Sequence, residues 1–248
     1  MELKQFFEVH PEVAIAFSGG VDSAYLLYAA EQFGKRVKAY YVKTAFQPQF
    51  ELEDAFRLAE ELGAEMRVLE VDILCDATVT TNPADRCYHC KKTLFSHILK
   101  AAKADGFSVV LDGTNFSDEA SDRPGMRAIS ELSVRSPLRE CGLTKKQIRQ
   151  LSKDAGLFTH DKPAYACLAT RIPTGEEITI SKLQRTERAE AFLSQMGFRD
   201  FRVRCQGNTA KIQVQETDLP VLIQHRDAIL TELKKYYTSV LLDLEVRK

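Results

Sequence analysis

An unbroken apolar run at residues 13–17, Val-Ala-Ile-Ala-Phe, stops at Ser18-Gly19-Gly20-Val21-Asp22-Ser23, after which apolar residues recur with helical spacing as far as Phe33 and Gly34. A strand that enters a glycine turn and leaves as a helix constrains the fold strongly, because a strand apolar on both sides must be covered on both faces. The pattern continues. Residues 37–42 and 66–71 are strand-like, and residues 53–62 form an amphipathic helix ended by Gly63. A helix over about 85–104 leads through Gly106 to a buried strand at 108–111, which opens into Asp112-Gly113-Thr114-Asn115. Residues 143–155 read as a helix with Thr144 as N-cap and Gln147 in capping-box position. Such alternation predicts an α/β fold, a parallel sheet with helices on both faces.

Between residues 156 and 178 the periodicity is lost and Pro163, Pro173 and Gly175 intervene. The reading is a nucleotide-binding domain over 1–160, a linker over 161–180 that carries Cys167, and a small α+β domain over 181–248. The last comprises a helix at 183–196, strands at 201–205 and 210–215, a helix at 219–236 and a strand at 240–246, arranged as an antiparallel sheet. Among the 248 residues, 34 Lys+Arg face 35 Asp+Glu, a net charge of −1. Bulk charge therefore gives no drive toward nucleic acid or anionic membranes. The first residues lack an export pattern and no apolar stretch reaches membrane-spanning length, so the expected setting is cytoplasmic.

The Ser18–Ser23 turn is suited to an anion: glycines let backbone approach a ligand, and the N–H groups of a helix start favour negative charge. It lacks the lysine of G-x-x-x-x-G-K-[ST], which argues against ordinary γ-phosphoryl transfer. The string resembles the PP-loop of the N-type ATP pyrophosphatase superfamily, with its adenine nucleotide alpha hydrolase-like domain. That resemblance implies ATP cleavage between the α and β phosphates. Ser18, Gly19, Gly20, Val21, Asp22 and Ser23 would hold the nucleotide, Asp22 would position Mg²⁺ or orient the loop, and Gly113 would sit over the same crevice.

Six cysteines without an export signal read as thiols, metal ligands or nucleophiles. Cys87-Tyr88-His89-Cys90 opens a helix, with Arg86 before it and Lys91 and Lys92 after it, a setting that favours thiolate. A redox pair, a structural Zn²⁺ site, an iron–sulfur site and two unligated thiols all stay open at this point. Cys167 lies in the aperiodic segment four residues before Arg171 and reads either as a nucleophile or as a small buried hydrophobe. Cys75, Cys141 and Cys205 have no comparable setting and read as structural.

The PP-loop, Asn82-Pro83-Ala84-Asp85-Arg86-Cys87-Tyr88-His89-Cys90-Lys91, Asp112-Gly113-Thr114-Asn115, Arg123-Pro124-Gly125, Val134-Arg135-Ser136-Pro137-Leu138, Asp161-Lys162-Pro163 with Cys167, and Arg202-Val203-Arg204 follow one another in order. Together they resemble the LarE family of ATP-dependent sulfur transferases, which act in biosynthesis of the nickel-pincer nucleotide cofactor of lactate racemase. The resemblance implies a small nucleotide substrate, pyridinium-3,5-biscarboxylic acid mononucleotide, with no nucleic acid or membrane partner. It implies ATP and Mg²⁺, adenylylation of a carboxylate, and catalytic roles for Asp22 and Cys167. It also implies either a [4Fe–4S] cluster on Cys87, Cys90 and Cys167, the favoured type here, or Cys167 as sacrificial sulfur donor. Arg171, Glu190, Arg202 and Arg204 would bind substrate, and the assembly would be a homohexamer. Two rival expectations are transfer-RNA thiolation by a PP-loop iron–sulfur enzyme and a non-catalytic module binding nucleotide and zinc.

Overall fold

A computed structural model describes residues 2–118 and 124–247. Arg123 of the Arg123-Pro124-Gly125 motif lies outside these described residues. The chain forms two compact units, one of Met1–Ile73 with Asp85–Ala164 and one of Leu74–Ala84 with Tyr165–Lys248.

The first unit is built on four parallel strands: β1 (Glu12–Ala16), β2 (Arg36–Lys43), β3 (Met66–Glu70) and β4 (Val110–Leu111), in the order β3-β2-β1-β4. Successive residues of a strand face opposite sides. Thus Val13, Ile15, Ala39 and Tyr41 join one apolar cluster with helix Val21–Phe33, while Ala14, Tyr40 and Val42 join another with helix Arg86–Ala104. Both faces are covered, as the apolar run of β1 requires. Strand order reverses at β1, since β2 and β3 lie on one side of it and β4 on the other. In an open α/β sheet that reversal opens a crevice at the carboxyl ends of the strands on either side of it, here β1 and β4. The Ser18 turn follows β1 and Asp112 follows β4, so both line that crevice.

Helix Lys145–Asp154 carries the expected capping box, with the Thr144 side chain accepting from Gln147 N–H and the Gln147 side chain reaching back to Thr144. Helices Leu3–Val9 and Pro124–Glu131 go unread in the sequence. Near the start of the strands, Asp105 accepts from Tyr40 Oη at 2.8 Å and lies 3.0 Å from Lys38 Nζ and 3.2 Å from an Arg67 nitrogen. These partners, Lys38 and Tyr40 foremost, draw its carboxyl down from 3.8 to about 2. A depressed carboxyl stabilises the fold above its unfolded value and loses that contribution as pH falls toward its folded value. Asp105→Asn is therefore expected to flatten the acid limb of a melting-temperature profile between about pH 4 and 2; an unchanged limb would refute the assignment.

The second unit carries β5 (Arg202–Gln206), β6 (Thr209–Gln213) and β7 (Ser239–Leu242) against helix Ile180–Gln195. β5 and β6 are antiparallel across the tight Gly207-Asn208 turn, where Gly207 has φ +52°. β7 runs parallel to β6, which corrects the expected antiparallel sheet. The cause is the connection: helices Leu219–Gln224 and Arg226–Leu233, separated at His225, return the chain to the end from which β6 began, so β7 enters in the same direction. Asn82, at φ +54° and 3% exposed, donates from Nδ2 to the Pro173 carbonyl at 2.8 Å while its own carbonyl accepts from Gly175 N–H. The Asn82-Pro83 pair thereby fastens Leu74–Ala84 into the second unit. No helix among the described residues is long and apolar enough to cross a membrane.

Candidate active site: the phosphate loop and the arginine cluster

Gly19 takes φ +72°, a conformation natural to glycine, and a Cβ there would meet the Glu51 carbonyl oxygen at 3.3 Å. Gly20 is the N-cap of helix Val21–Phe33, and no side chain caps this end. The first-turn N–H groups are left for a ligand, as in other anion-binding helix starts. The loop is braced internally: Ser18 Oγ lies 3.0 Å from Ser23 Oγ, which also accepts from Ser18 N–H and donates to the Gly20 carbonyl at 3.1 Å.

Gly113, on the turn after β4, packs on this loop. A Cβ there would lie 2.9 Å from Ser23 N and 3.3 Å from the Asp22 carbonyl carbon. Those atoms are backbone and cannot swing aside. Gly113→Ala is expected to displace the loop and weaken ATP binding on the order of 10²-fold, since ångström misplacements cost about that much. Calorimetric titration with a non-hydrolysable ATP analogue checks this, and wild-type affinity in the variant would refute the close approach. Asp112 is held beside it by Thr114 Oγ1 and Ser136 Oγ, each at 2.5 Å.

Asp22 points one oxygen, Oδ2, at Lys145 Nζ 2.5 Å away, while Oδ1 is buried without a hydrogen-bond partner. Burial raises its carboxyl above the ordinary carboxylate value, and the Lys145 hydrogen bond opposes the rise. An orphaned, buried carboxylate oxygen beside an anion-binding loop suits a hard divalent cation such as Mg²⁺. Lys162 Nζ donates to Asp54 Oδ2 at 2.6 Å and to the Gly19 carbonyl at 3.4 Å. The Lys162 segment is itself held by Arg149, which donates to the His160 and Lys162 carbonyls at 2.6 and 2.8 Å. Lys145 and Lys162 are absent from the residues singled out as nucleotide ligands in the sequence; a lysine far along the chain carries no local mark of where it folds.

Cys87 and Cys90 are the second and fifth residues of helix Arg86–Ala104, three apart and so neighbours on its surface. Cys87 is exposed, Cys90 is buried, and Arg86, 6% exposed, lies 3.8 Å from Cys87 Sγ. A Cβ on Gly125 would lie 2.9 Å from Lys91 Cδ, so Gly125 packs against this same helix. Among the described residues, no three His, Cys, Asp or Glu side chains form a group that could hold a metal ion. The pair belongs to the first unit and Cys167 to the second. Thiolate chemistry and one-turn spacing fit two ligands of an iron–sulfur cluster.

In the second unit, Cys167 is half-buried and caps the short turn Leu168–Arg171, its carbonyl accepting from Thr170 N–H and Oγ1. Arg171 is 2% exposed. It donates to Glu190 at 2.7 and 3.2 Å, to Thr170 Oγ1 at 2.8 Å and to the Ala166 carbonyl at 3.0 Å. Glu190 also accepts from Tyr165 Oη at 2.6 Å and Val203 N–H at 2.9 Å. These six hydrogen bonds join parts of one cluster, and Tyr165 is a member that the sequence does not advertise. Arg202, 5% exposed, lies 5.3 Å from the Tyr165 ring centre and 3.7 Å from Asp200, which Arg247 contacts more closely at 2.7 Å. Burial, then repulsion from Arg171 and Arg247, pushes its guanidinium down to about 10. It remains charged at neutral pH. The guanidiniums of Arg171 and Arg202 are thus both buried beside Tyr165, and charge-assisted hydrogen bonds from such groups suit a carboxylate or phosphate. Arg204, two residues on along β5, donates to Gln213 Oε1 at 3.1 Å.

Cys205 is buried, 3.1 Å from an Arg185 nitrogen, in keeping with a packing role, and Cys141 is half-buried; Cys75, by contrast, is exposed and fills no core position.

A strand-order reversal, an uncapped glycine turn and an aspartate in its helix start define a PP-loop nucleotide enzyme. Residues 12–92 match the family described as queuosine biosynthesis protein QueC. An uncharacterized protein of Synechocystis sp. is 38% identical over 98% of this chain and 92% of its own length. The pyridinium-3,5-bisthiocarboxylic acid mononucleotide synthase of Lactiplantibacillus plantarum is 33% identical over 94% of this chain and 85% of its own. The tRNA-specific 2-thiouridylase MnmA of Thermotoga petrophila is 26% identical over 61% of this chain and 54% of its own. The chain belongs to the LarE family of the PP-loop proteins and is an ATP-dependent sulfurtransferase.

Proposed function

We propose that the protein adenylylates a ring carboxylate of pyridinium-3,5-biscarboxylic acid mononucleotide and converts it to a thiocarboxylate. The observation that carries this reading is the near full-length 33% identity to the Lactiplantibacillus plantarum synthase. The loop geometry agrees with it. A carboxylate is a poor electrophile because its oxygen leaves badly, and activation by ATP supplies a better leaving group. A substrate carboxylate oxygen attacks the α-phosphorus, the bond to the β-phosphate breaks, and pyrophosphate departs into the Ser18–Ser23 loop. A sulfur nucleophile then attacks the acyl carbon, and the bond to AMP breaks. Asp22 would hold Mg²⁺, which when bound neutralises phosphate charge. Arg171, Arg202 and Arg204 would bind the substrate's phosphate and carboxylates, with Glu190 orienting Arg171 and Tyr165.

Cys87, Cys90 and Cys167 would be the protein ligands of a [4Fe–4S] cluster, which when bound supplies a fourth iron open to an additional sulfide. The two thiols at the helix start and their cationic neighbours support that set. The partial exposure of Cys167 supports the rival route, in which its own sulfur is transferred and the residue is left as dehydroalanine.

Single-turnover incubation with MgATP and the biscarboxylic mononucleotide, read by product analysis and intact mass, separates the two. AMP and pyrophosphate are the expected products, with an unchanged chain mass for the cluster route and loss of H₂S for the sacrificial one. ADP as the nucleotide product would overturn the adenylylation reading. Cys167→Ala is expected to abolish thiocarboxylate while AMP formation persists. A homohexameric cytoplasmic assembly is part of the same proposal, checked by light scattering of the purified protein.

A further inference from the structure

The loop has no lysine of its own, and within it the one charged side chain is negative. Pyrophosphate leaving ATP carries several negative charges, and backbone N–H groups with two hydroxyls meet that charge only in part. Two cations nevertheless reach the loop from distant sequence. Lys145 begins helix Lys145–Asp154 and places Nζ 2.5 Å from Asp22 Oδ2. Lys162, its side chain 14% exposed, places Nζ 3.4 Å from the Gly19 carbonyl and 2.6 Å from Asp54 Oδ2. Each ammonium is paired with an aspartate, and the four residues sum to zero charge.

We propose that Lys145 and Lys162 are the missing phosphate cations, and that binding of Mg²⁺ with pyrophosphate or ATP exchanges partners: the anion takes the lysines, and the metal meets Asp22. The inference rests on the PP-loop reading and adds two ligands outside the motif. Charge pairing explains why the exchange needs both ions. Anion alone would strip the lysines from Asp22 and Asp54 and leave two carboxylates uncompensated, Asp22 with a buried oxygen already unpartnered. Metal alone would displace an ammonium with nowhere to go. The two ions together satisfy Lys145, Lys162 and Asp22, while Asp54, its side chain 31% exposed, is left to solvent, so each ion strengthens binding of the other.

The test is calorimetric titration of the full chain with inorganic pyrophosphate, with and without Mg²⁺, and separately with AMP. Lys145→Ala and Lys162→Ala are each expected to weaken Mg-pyrophosphate binding about tenfold or more, the size of a lost charge-assisted contact, with AMP affinity unchanged. Lys162→Arg should recover most of the loss. Asp54→Asn should tighten metal-free pyrophosphate binding, because Lys162 is then unclaimed; a merely structural Asp54–Lys162 pair would not do this. The Asp54→Asn result decides the matter for any lysine variant that melts early. Wild-type pyrophosphate affinity in both lysine variants, with a loss confined to Ser18→Ala, would overturn the proposal and leave the PP-loop reading standing. Failure of the wild-type protein to bind pyrophosphate or ATP would end both.

Discussion

Asp22→Ala is expected to reduce AMP formation from ATP by at least about 10²–10³-fold, the range seen when one preorganised electrostatic group is removed from an active site. The fold should survive. Asp22 and Lys145 are 21% and 34% exposed at their side chains, so water partly screens their pair and the attraction lost with it is offset by release of a partly buried charge. Burial raises the Asp22 carboxyl, and its Oδ1 is buried with no partner. A raised acid favours its neutral form in the folded state, so the charge it carries at neutral pH opposes folding. Asp22→Asn, which keeps the shape and removes that charge, is accordingly expected to melt at or above the wild-type temperature while losing AMP formation, as sites kept for function commonly do. Thermal melts and an AMP assay on both variants check the two halves. Substantial AMP formation by Asp22→Ala would remove this carboxylate from the chemistry. A collapse in melting temperature for Asp22→Asn would show instead that the carboxylate serves the fold.

Asp22 also shows which parts of the site can be read in the linear chain. Its motif is local: glycine conformational freedom, the helix start and the two serines all fall within six residues, so Ser18–Ser23 is legible before any tertiary contact is known. The same holds for Thr144 and Gln147, whose reciprocal bonds span three residues. Contacts that complete the site are of another kind. Gly113 meets Ser23 because strand order reverses at β1, and Lys145 and Lys162 meet Asp22 and Asp54 across more than a hundred residues. Nothing in the periodicity of either segment marks such a meeting. The direction of β7 is hidden for a related reason: the pattern of 240–246 describes a strand but not the strand's heading, which the intervening helices set. Leu3–Val9 is unread because its N-cap is Glu2, a residue outside the usual capping set, even though Gln5 completes a capping box. Arg202 and Arg204 were recognisable as a cationic pair on one strand face, but burial of Arg202 to 5% exposure comes only from the fold. That burial is what sets Arg202 apart from a residue on an ordinary solvated strand.

Glu190→Ala is the substitution expected to cost the most stability. The carboxylate and Arg171 are 6% and 1% exposed at their side chains, 2.7 Å apart, and solvent screens them little. Removing the acid leaves the Arg171 guanidinium buried without this counter-ion, with the Arg202 charge nearby, and takes away the acceptor of the Tyr165 hydroxyl and the Val203 N–H. Breaking one side of a buried ion pair costs about 3–5 kcal/mol. Glu190→Gln preserves volume and one acceptor oxygen but turns an amide N–H₂ toward cationic or N–H donors, so it should recover only part of the loss. Arg171→Met combined with Glu190→Leu removes both charges and is expected to be more stable than Glu190→Ala alone, because no bare charge remains. The double variant should still fail to bind the substrate's anionic groups, which separates the part this pair plays in folding from its part in recognition. Urea unfolding followed by a probe in the second unit, alongside titration with the biscarboxylic mononucleotide, measures both. A Glu190→Ala protein within about 1 kcal/mol of wild type would mean that Arg171 finds another partner or reaches water, and the reading of Arg171–Glu190 as a buried ion pair that holds the fold would then fail.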